Sequence, residues 1–259
     1  MEFSGKTVVI TGPAKGMGAA ITLAFARAGA DLALLGRDTA AIAPVAAEAE
    51  AMGRKTQTFA CDVTDEAAVA NAIDGTLSTF NTIDVLVNVA GGRGPIGKSG
   101  VATTADDFDA IMTLNVTGVF LTMRAVLPHM MARRTGKIVN IGGTFGLRGR
   151  AGRVSYSASK WGMRGLTKSF ALEAGPHNIN VNSVCPGMVE GPRFETVCAD
   201  MAKAQGISVD AAKEKHAQDY ALRRVSTGED VAAATLFLAS EGARQITGQD
   251  IAVDGGWVI

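Results

Sequence analysis

Tyr156 and Lys160 are the first residues whose types and spacing indicate chemistry, and they bound the motif Y-S-A-S-K at the start of a predicted helix. Side chains four residues apart lie on one face of a helix. A nearby ammonium favours the phenolate form of a tyrosine, and such a tyrosine can exchange a proton with a carbonyl or alcohol oxygen near neutral pH. The pair by itself is more often a surface contact, so catalysis needs companion motifs.

A glycine-rich turn follows the first predicted strand, with the sequence T-G-P-A-K-G-M-G at residues 11–18. Glycines permit a tight turn, and backbone N–H groups at the start of the next helix can bind a pyrophosphate. The spacing is G-x-x-x-G-x-G rather than the G-x-G-x-x-G of many dinucleotide folds. Its place between a strand and a helix predicts a nucleotide site, the alternative being a purely structural turn.

The end of the second predicted strand, Leu34-Leu35-Gly36-Arg37, indicates which cofactor binds. A carboxylate at this tip would accept hydrogen bonds from the ribose 2′-hydroxyl of NAD(H). The tip has no carboxylate, and Arg37 together with Lys15 of the glycine turn can bind a 2′-phosphate. NADP(H) is therefore preferred. Asp38 keeps NAD(H) possible, and solvated surface charges are the alternative interpretation of the two cations.

The elements that must position these residues follow a regular alternation of short β-branched runs and longer Ala-rich segments. The strands are continuous apolar runs, which is typical of a parallel sheet with helices on both faces. The pattern predicts an α/β fold, a single-domain Rossmann-like doubly wound parallel sheet over residues 1–259. The predicted strands are 7–10, 32–35, 56–60, 85–88, 137–141, 180–184 and 250–253, and the predicted helices are 16–28, 40–52, 65–80, 106–133, 154–174 and 229–239.

One segment, residues 187–224, is longer than a crossover between strands requires, and its sequence predicts a loop with one or two helices. An insertion beyond the carboxyl end of a strand predicts a lid over a substrate. The predicted substrate pocket beneath it has Gly143 beside the reacting group and Phe145, Met188 and Phe194 as apolar walls.

Several cations flank the predicted pocket in loops that follow strands. One hypothesis is that some of them bind an anionic substrate. The alternative, which is the more common case for such residues, is a solvated surface or a subunit contact. The cations are Arg93, Lys98, Arg148, Arg150, Arg153 and Arg193.

Composition excludes several other classes of protein. Lys plus Arg and Asp plus Glu both number 25, so the net charge is zero and no basic field attracts nucleic acid. The three cysteines are far apart without a histidine cluster, which predicts reduced thiols and no metal site. The N-terminus does not resemble a signal peptide, and no run approaches about 18 apolar residues, so we expect a cytoplasmic protein without a membrane segment.

The companion motifs occur in order along essentially the whole chain: the glycine turn, N-V-A-G at 88–91, Asn115 in L-N-V-T-G, the Tyr156–Lys160 pair, Pro186-Gly187 and the ending I-T-G-Q-D-I-A-V-D-G-G. With them the sequence closely resembles the short-chain dehydrogenase/reductase family, in particular its 3-oxoacyl-ACP-reductase-like members. The resemblance implies an oxidoreductase acting on CH–OH or C=O groups of a small molecule. It also implies a homo-oligomer, a homotetramer or a dimer.

The resemblance further implies roles for individual residues. Tyr156 matches the general acid/base, Lys160 the residue that binds the nicotinamide ribose, and Asn115 the position that holds a water of the proton relay. Val89 departs from the second asparagine of the family's N-N-A-G motif, and Gly191 replaces a threonine that often contacts the cofactor. Besides Lys15 and Arg37, the cofactor-binding residues are Thr11, Gly12, Gly16, Met17, Gly18, Asp62, Val63, Asn88, Ala90, Gly91, Tyr156, Lys160, Pro186, Gly187 and Val189.

The main departure from the family lies at Gly143, thirteen residues before Tyr156, where the family carries its catalytic serine. The usual I-S-S reads I-G-G here, so a shift by one residue restores no hydroxyl. Thr144 is a candidate substitute donor if a loop turns it inward, since neighbours on a strand point apart. A water or a substrate hydroxyl are the other candidates. Loss of one such donor costs about 3 kcal/mol of transition-state stabilisation, which slows a reaction without abolishing it.

We therefore expect an NADP(H)-dependent oxidoreductase that interconverts a carbonyl compound and an alcohol, with Tyr156 as general acid/base. The missing hydroxyl leaves two alternatives open. One is a reductase whose substrate supplies its own polar group, such as a hydroxy-ketone or an imine. The other is a catalytically weak, cofactor-binding regulatory or scaffold protein. Retention of Tyr156, Lys160 and Asn115 argues against that last alternative.

Overall fold

The computed structural model describes residues 1–258, and Ile259 of the predicted domain lies outside the described residues. Within residues 1–258, seven parallel strands form a sheet in the order β3-β2-β1-β4-β5-β6-β7. The predicted α/β fold is confirmed, and each predicted strand is present to within two residues at either end. The strands are β1 (Thr7–Thr11), β2 (Asp31–Gly36), β3 (Thr56–Ala60), β4 (Val85–Asn88), β5 (Gly136–Ile141), β6 (Ile179–Pro186) and β7 (Asp250–Val253).

Helices cover both faces of the sheet, and most of them match the predicted ranges to within two residues. The exception is the long predicted helix 106–133, which a π-helical turn, Thr113–Thr117, divides in two. The α-helices in the described part of the chain are α1 (Met17–Arg27), α2 (Thr39–Ala51), α3 (Glu66–Phe80), α4 (Ala105–Met112), α5 (Gly118–Arg133), α6 (Val154–Ala174), α7 (Pro192–Gln205), α8 (Val209–Ala217) and α9 (Gly228–Ala239).

The central strands are continuous apolar runs because both of their faces are covered. Every residue of β1, β5 and β6 is buried, as expected for parallel strands inside such a sheet. Successive side chains alternate between the faces. Val8 and Ile10 pack in one hydrophobic cluster with Phe25 of α1, whereas Val9 packs in the opposite cluster with Met123 of α5.

Helix starts differ in a way that bears on ligand binding. The side chain of Asp65 accepts hydrogen bonds from two backbone N–H groups at the start of α3, and Thr227 with Asp230 forms a capping box at α9. Helix α1 instead follows Gly16, and no side chain caps its first turn. Its terminal N–H groups therefore lack the side-chain partner that most helix starts have.

The strand order reverses beside β1, with β2 and β3 on one side and β4 to β7 on the other. In open α/β sheets, ligands bind outside the carboxyl ends of the strands at such a reversal. The glycine turn follows β1, the N-V-A-G segment follows β4, and the I-G-G-T segment follows β5. The topology thus brings three sequence motifs to one edge of the sheet.

Residues 187–224 contain helices α7 and α8, in agreement with the prediction of one or two helices. These helices share a small hydrophobic cluster that is separate from the two sheet clusters. Its function as a lid stays a prediction. The cluster consists of Phe194, Cys198, Ala202, Ala212, Tyr220 and Val225, with Met188, Met201 and Trp257 packed against it.

The stretch Ala105–Arg133 has the length and the mean hydropathy, 1.6, of a membrane-crossing helix. Half of its most apolar window is nevertheless buried inside the fold, as in the core helix of a globular protein. Among residues 1–258 no group of His, Cys, Asp and Glu side chains is placed to hold a metal ion. All three cysteines are free and buried.

Candidate active site

Helix α6 places the predicted catalytic pair beside the carboxyl end of β5. Lys160 is buried, and its Nζ donates a 3.0 Å hydrogen bond to the backbone oxygen of Ile141. The same Nζ lies 5.8 Å from the centre of the Tyr156 ring. Phe145 meets that ring edge-on, with 6.2 Å between the ring centres. The backbone of the strand therefore holds the ammonium on the tyrosine side of the helix.

Asn115 is fully buried in the π-helical turn between α4 and α5. Its Oδ1 accepts a 2.7 Å hydrogen bond from the N–H of Gly92, and its Nδ2 donates to the Gly92 oxygen and to Ser159 Oγ, both at 2.9 Å. Ser159 donates in turn to the backbone oxygen of Tyr156. Asn115 thus ties the loop after β4 to the helix of the catalytic pair. Sequence reasoning missed Ser159, whose only signal is its place inside Y-S-A-S-K.

Gly143 lies next to the Tyr156 hydroxyl, and its match to the family's catalytic serine stays a prediction. A Cβ at this position would be 3.3 Å from the Tyr156 hydroxyl oxygen, and the backbone is extended. Position 142 leaves no space for a side chain, because a Cβ added to Gly142 would lie 2.8 Å from Ser183 Oγ and 2.9 Å from Cys185 Sγ. Thr144 is buried at the start of a short 3₁₀ helix. Its role as a substitute donor stays a prediction.

The glycine turn after β1 is compact and leaves its outer surface open. A Cβ at Gly18 would lie 2.1 Å from the Gly12 oxygen, whereas a Cβ at Gly16 would meet no atom within 4 Å. The hydroxyl of Thr11 accepts hydrogen bonds of 3.1 Å from the N–H groups of Val89 and Ala90, which joins the turn to the loop after β4. With the uncapped start of α1 at Met17, this turn fits the pyrophosphate of a dinucleotide.

The tip of β2 fits an adenosine that carries a phosphate. Arg37 is 77% exposed and its Nη1 lies 4.0 Å from Asp62 Oδ2, while Lys15 is also exposed. The N–H and hydroxyl of Thr64 donate to Asp62 Oδ1 and hold the pKa of Asp62 below its usual range, and Arg37 lowers that pKa further. Asp38 Oδ1 caps α2 by accepting from the Ala41 N–H.

The remaining predicted cofactor residues differ in how much surface they offer. Asn88 is buried, and its Nδ2 donates to Asn140 Oδ1 while its Oδ1 accepts from Thr122 Oγ1. Its side chain therefore joins β4 to β5 and α5. Val63 is buried, and its side chain packs closely against Gly118 at the start of α5. Their backbones, rather than their side chains, remain for a cofactor.

Two residues of N-V-A-G lie between the glycine turn and the π-helical turn. A Cβ on Gly12 would lie 2.9 Å from the Ala90 Cα, so the two loops touch through their backbones. Gly91 lies close to Asn115, since a Cβ added to Gly91 would lie 3.0 Å from Asn115 Oδ1. Ala90 is partly exposed, and Gly91 is exposed.

The segment after β6 runs towards the lid. Pro186 ends the strand and is buried, and the N–H of Gly187 donates to the Val253 oxygen at 3.1 Å. Val189 pairs with Ser226 in an isolated parallel bridge. These contacts hold the predicted nicotinamide-side segment against the last strand, and its contact with a cofactor stays a prediction.

The predicted pocket walls divide into two groups. Phe145 lies between Tyr156 and Trp257, whose ring centre is 5.7 Å away, and Met188 is half-buried. Phe194 is only 6% exposed and packs inside the lid cluster. Phe194 therefore stabilises the lid and offers little surface to a substrate, because the predicted lid turned out to have its own core.

The six flanking cations are not equivalent. Lys98 pairs with Asp107, and the guanidinium of Arg148 stacks on the ring of Trp257 at 4.5 Å. Arg150 is exposed. Arg153 instead lies over the catalytic tyrosine, with 4.6 Å between its guanidinium carbon and the centre of the Tyr156 ring.

Comparison with known proteins finds relatives over the whole chain. A family model described as enoyl-(acyl carrier protein) reductase matches residues 12–258. The chain is 35% identical to the 3-oxoacyl-[acyl-carrier-protein] reductase of Thermotoga maritima over 100% of both chains. It is 37% identical to a short-chain dehydrogenase/reductase of Armillaria gallica, over 98% of this chain and 96% of that one. The solved structure of NAD+-bound xylitol dehydrogenase superposes with a TM-score of 0.92 at 29% identity, covering 99% of this chain and 100% of the other.

Proposed function

Because the chain belongs to the short-chain dehydrogenase/reductase family of oxidoreductases, which interconvert carbonyl compounds and alcohols, we propose that it uses NADP(H) and that Tyr156 is its general acid/base. One observation carries the proposal. The buried amide of Asn115 is linked through Ser159 to the Tyr156 backbone, and Lys160 of the same helix is anchored to the Ile141 oxygen at the end of β5, so α6 holds these residues as one unit. A protein without catalytic activity has no chemical need for this unit.

Different residues around the sheet edge would bind different parts of the cofactor. The N–H groups of the glycine turn and of the α1 start bind the pyrophosphate. Lys160 has three N–H donors, of which the Ile141 oxygen takes one, so two remain for the nicotinamide ribose. When bound, the nicotinamide supplies or accepts the hydride.

The protein itself moves the proton. Tyr156 gives its hydroxyl proton to the carbonyl oxygen during reduction and takes it back from the alcohol during oxidation. The ammonium of Lys160 stabilises the phenolate that remains after proton donation. Asn115 positions the loop after β4 and the Tyr156 backbone, and a water at this place would return the proton from solvent.

The preference for NADP(H) rests on the tip of β2. Gly36 stands where an NAD(H) enzyme carries a carboxylate, and both Lys15 and Arg37 are exposed, so each can meet a 2′-phosphate while Arg37 keeps its 4.0 Å ion pair with Asp62. The xylitol dehydrogenase relative is NAD+-bound, so relatives of this fold do not by themselves select the cofactor. The support for NADP(H) comes from the residues at the tip of β2.

A second candidate function follows from the space at Gly143. With no serine hydroxyl beside Tyr156, a substrate that brings its own hydroxyl or amine can supply the missing donor next to the Tyr156 hydroxyl, which lies 3.3 Å from a Cβ placed at Gly143. A hydroxy-ketone or an imine meets this requirement. Thr144 is the alternative donor for a plain ketone.

A screen of NADPH and NADH oxidation tests the proposal with plain ketones, aldehydes, hydroxy-ketones and imines. We expect NADPH-dependent turnover that falls by about 100-fold or more in Tyr156→Phe, since general acid–base catalysis contributes about 10²–10⁴-fold. The control variant Tyr220→Phe lacks the hydroxyl of the only other tyrosine, and we expect its turnover to be unchanged. Tight NADPH binding without Tyr156-dependent turnover on any substrate would contradict the proposal and support a scaffold role.

We also propose that the protein is a cytoplasmic homo-oligomer, a tetramer or a dimer, as the family resemblance implies. Exposed apolar side chains on α5 and α6 support the association. Phe120 is 36% exposed, Trp161 49% and Leu172 81%, so these side chains are available for a contact with a second copy.

A further inference from the structure

Three arginines from separate parts of the chain bring positive charge to the catalytic tyrosine. Arg153 directly precedes α6, Arg193 lies in the first turn of α7, and Arg93 lies in the loop after β4. The guanidinium of Arg153 lies against the ring of Tyr156. Burial lowers the pKa of Arg153, and the positive charges of Arg193 and Arg93 lower it further.

No acidic side chain in the described ranges balances this charge. Arg153 is 5% exposed, yet none of the three arginines makes an ion pair among residues 1–258. Arg164, farther along the same helix, pairs with Asp250 at 2.9 Å. Arg153 is instead a buried arginine with no carboxylate partner among the described residues.

The unused donors of Arg153 lie on one edge of its guanidinium. Its Nε and Nη2 are buried and have no hydrogen-bond partner in the protein, and the same holds for Nε of Arg193. In the planar guanidinium, Nε–H and one Nη2–H point in the same direction, which matches the two oxygens of a carboxylate. A buried charge with unmade hydrogen bonds is unfavourable in a folded protein, so such an edge is typical of a ligand site.

We propose that Arg153 binds a carboxylate of the substrate, so that the enzyme acts on an oxo acid or hydroxy acid. The inference rests on the proposed function, because it places the anion next to the group that moves the proton. Since the guanidinium lies over the Tyr156 ring, the carboxylate must lie within a few bonds of the reacting carbon.

Matched substrates test the inference. Initial rates are measured with 2-oxobutanoate, 3-oxobutanoate and 4-oxopentanoate, with neutral 2-pentanone, and with 2-oxopropylphosphonate as a second anion. We expect kcat/KM for one oxo acid to exceed that for 2-pentanone, and this ratio to fall about 10- to 100-fold in Arg153→Met through KM of the acid. Arg153→Lys should restore part of the ratio. Arg150→Met, a change at an exposed arginine of the same loop, should leave the ratio unaltered.

Binding provides a readout that needs no turnover. Calorimetric titration with butanoate and with neutral butanamide, at saturating NADP+, should show binding of the acid alone, at least 10-fold weaker in Arg153→Met. Equal binding of acid and amide, or an acid-to-ketone ratio that Arg153→Met does not change, would overturn the inference. Preference for the phosphonate over every oxo acid would overturn the carboxylate assignment.

The two proposals fail separately. Tyr156-dependent turnover of 2-pentanone with no role for Arg153 leaves the proposed function standing and removes the anion site. Absence of turnover with every carbonyl compound removes the proposed function, and the butanoate titration then still decides whether Arg153 binds a carboxylate.

Discussion

The two glycines after β5 illustrate how neighbouring residues of one type serve different purposes. Gly142 is required by packing, because the side chains of Ser183 and Cys185 occupy the place of its Cβ. Gly143 faces the Tyr156 hydroxyl, and its extended backbone suits any residue. A hydroxyl can therefore be returned to the site at position 143 and not at 142.

We expect Gly143→Ser to raise turnover on a plain ketone by about tenfold or more. A serine hydroxyl beside Tyr156 would stabilise the reacting oxygen, and one such donor is worth about 10²–10³ in kcat in other enzymes. Cofactor affinity should stay nearly the same, because the glycine turn and the tip of β2 are untouched. Steady-state kinetics with 2-pentanone and a direct measurement of Kd for NADPH check both statements.

Gly143→Ala is the matched control, since it adds the Cβ without the hydroxyl. That Cβ would lie 3.3 Å from the tyrosine oxygen, which is a tight contact, so we expect no gain in rate. A gain in the alanine variant equal to that in the serine variant would show that space, and not hydrogen bonding, limits the reaction. A loss of turnover with serine on the best substrate would indicate that the substrate itself fills the space.

At the tip of β2, we expect Gly36→Asp to convert the cofactor preference towards NAD(H). The new carboxylate would accept from a ribose hydroxyl and repel a 2′-phosphate. The added Cβ would meet only the end of the flexible Ile42 side chain closely, at 2.9 Å. Kd for NADPH should rise at least about tenfold while Kd for NADH falls. Arg37→Ala should weaken NADPH binding without improving NADH binding, and tighter NADPH binding in Gly36→Asp would contradict the interpretation.

At the scale of elements, the helix predicted over 106–133 shows the limit of local patterns. The apolar periodicity continues through both α4 and α5, so nothing in it marks an interruption. The π-helical turn arises where Asn115 hydrogen-bonds to Gly92 and to Ser159, which are 23 and 44 residues away in sequence. Such turns are common at functional sites, and this one places the buried amide between two catalytic loops.

Helices α7 and α8, the predicted lid, share a core that contains a histidine. His216 is 9% exposed, between the rings of Phe194 at 5.4 Å and Tyr220 at 5.7 Å. Burial holds the pKa of His216 below its usual value, with Asp219 acting in the opposite direction and Arg150 adding to the decrease. The imidazole is therefore neutral in the folded lid.

We expect the protein to lose stability as the pH falls from about 7 to 5. The unfolded chain takes up a proton on His216 below about pH 6.5, whereas the folded chain does so only at lower pH, so this stability is complete above pH 6.5 and is lost below it. The decrease in Tm should be smaller in His216→Leu. Part of the decrease should remain, because burial also lowers the pKa of His129. An identical pH dependence of Tm in the variant and the wild type would show that His216 does not cause the loss of stability.

At the scale of the whole molecule, we expect association through the exposed apolar residues of α5 and α6. The 26.7 kDa chain should elute as a tetramer or dimer when its mass is measured by light scattering. Leu172→Glu should shift the mass downwards, because a charge would have to be buried in the contact. Ala47→Glu on the exposed face of α2 should have no effect. A wild-type monomer at micromolar concentration would contradict the expected oligomer.

The sequence by itself determined the layers of the fold and the position of the chemistry along the chain. Apolar periodicity depends on residues within one element, so β1 to β7 and most helices could be located to within two residues. The glycine turn and the Tyr156–Lys160 pair are equally local, because their geometry follows from one turn and one helical repeat. The count to Gly143 needed only the family resemblance in addition to the chain itself.

Only the tertiary structure decided what surrounds each of these side chains. The closeness of Gly143 to the Tyr156 hydroxyl, the burial of Phe194 in the cluster of α7 and α8 and the hydrogen bonds of Asn88 all depend on residues from other elements. The same is true of Arg153, which the sequence could not separate from Arg148 and Arg150. Burial and hydrogen-bond satisfaction are properties of packing between distant segments, and no local pattern contains them.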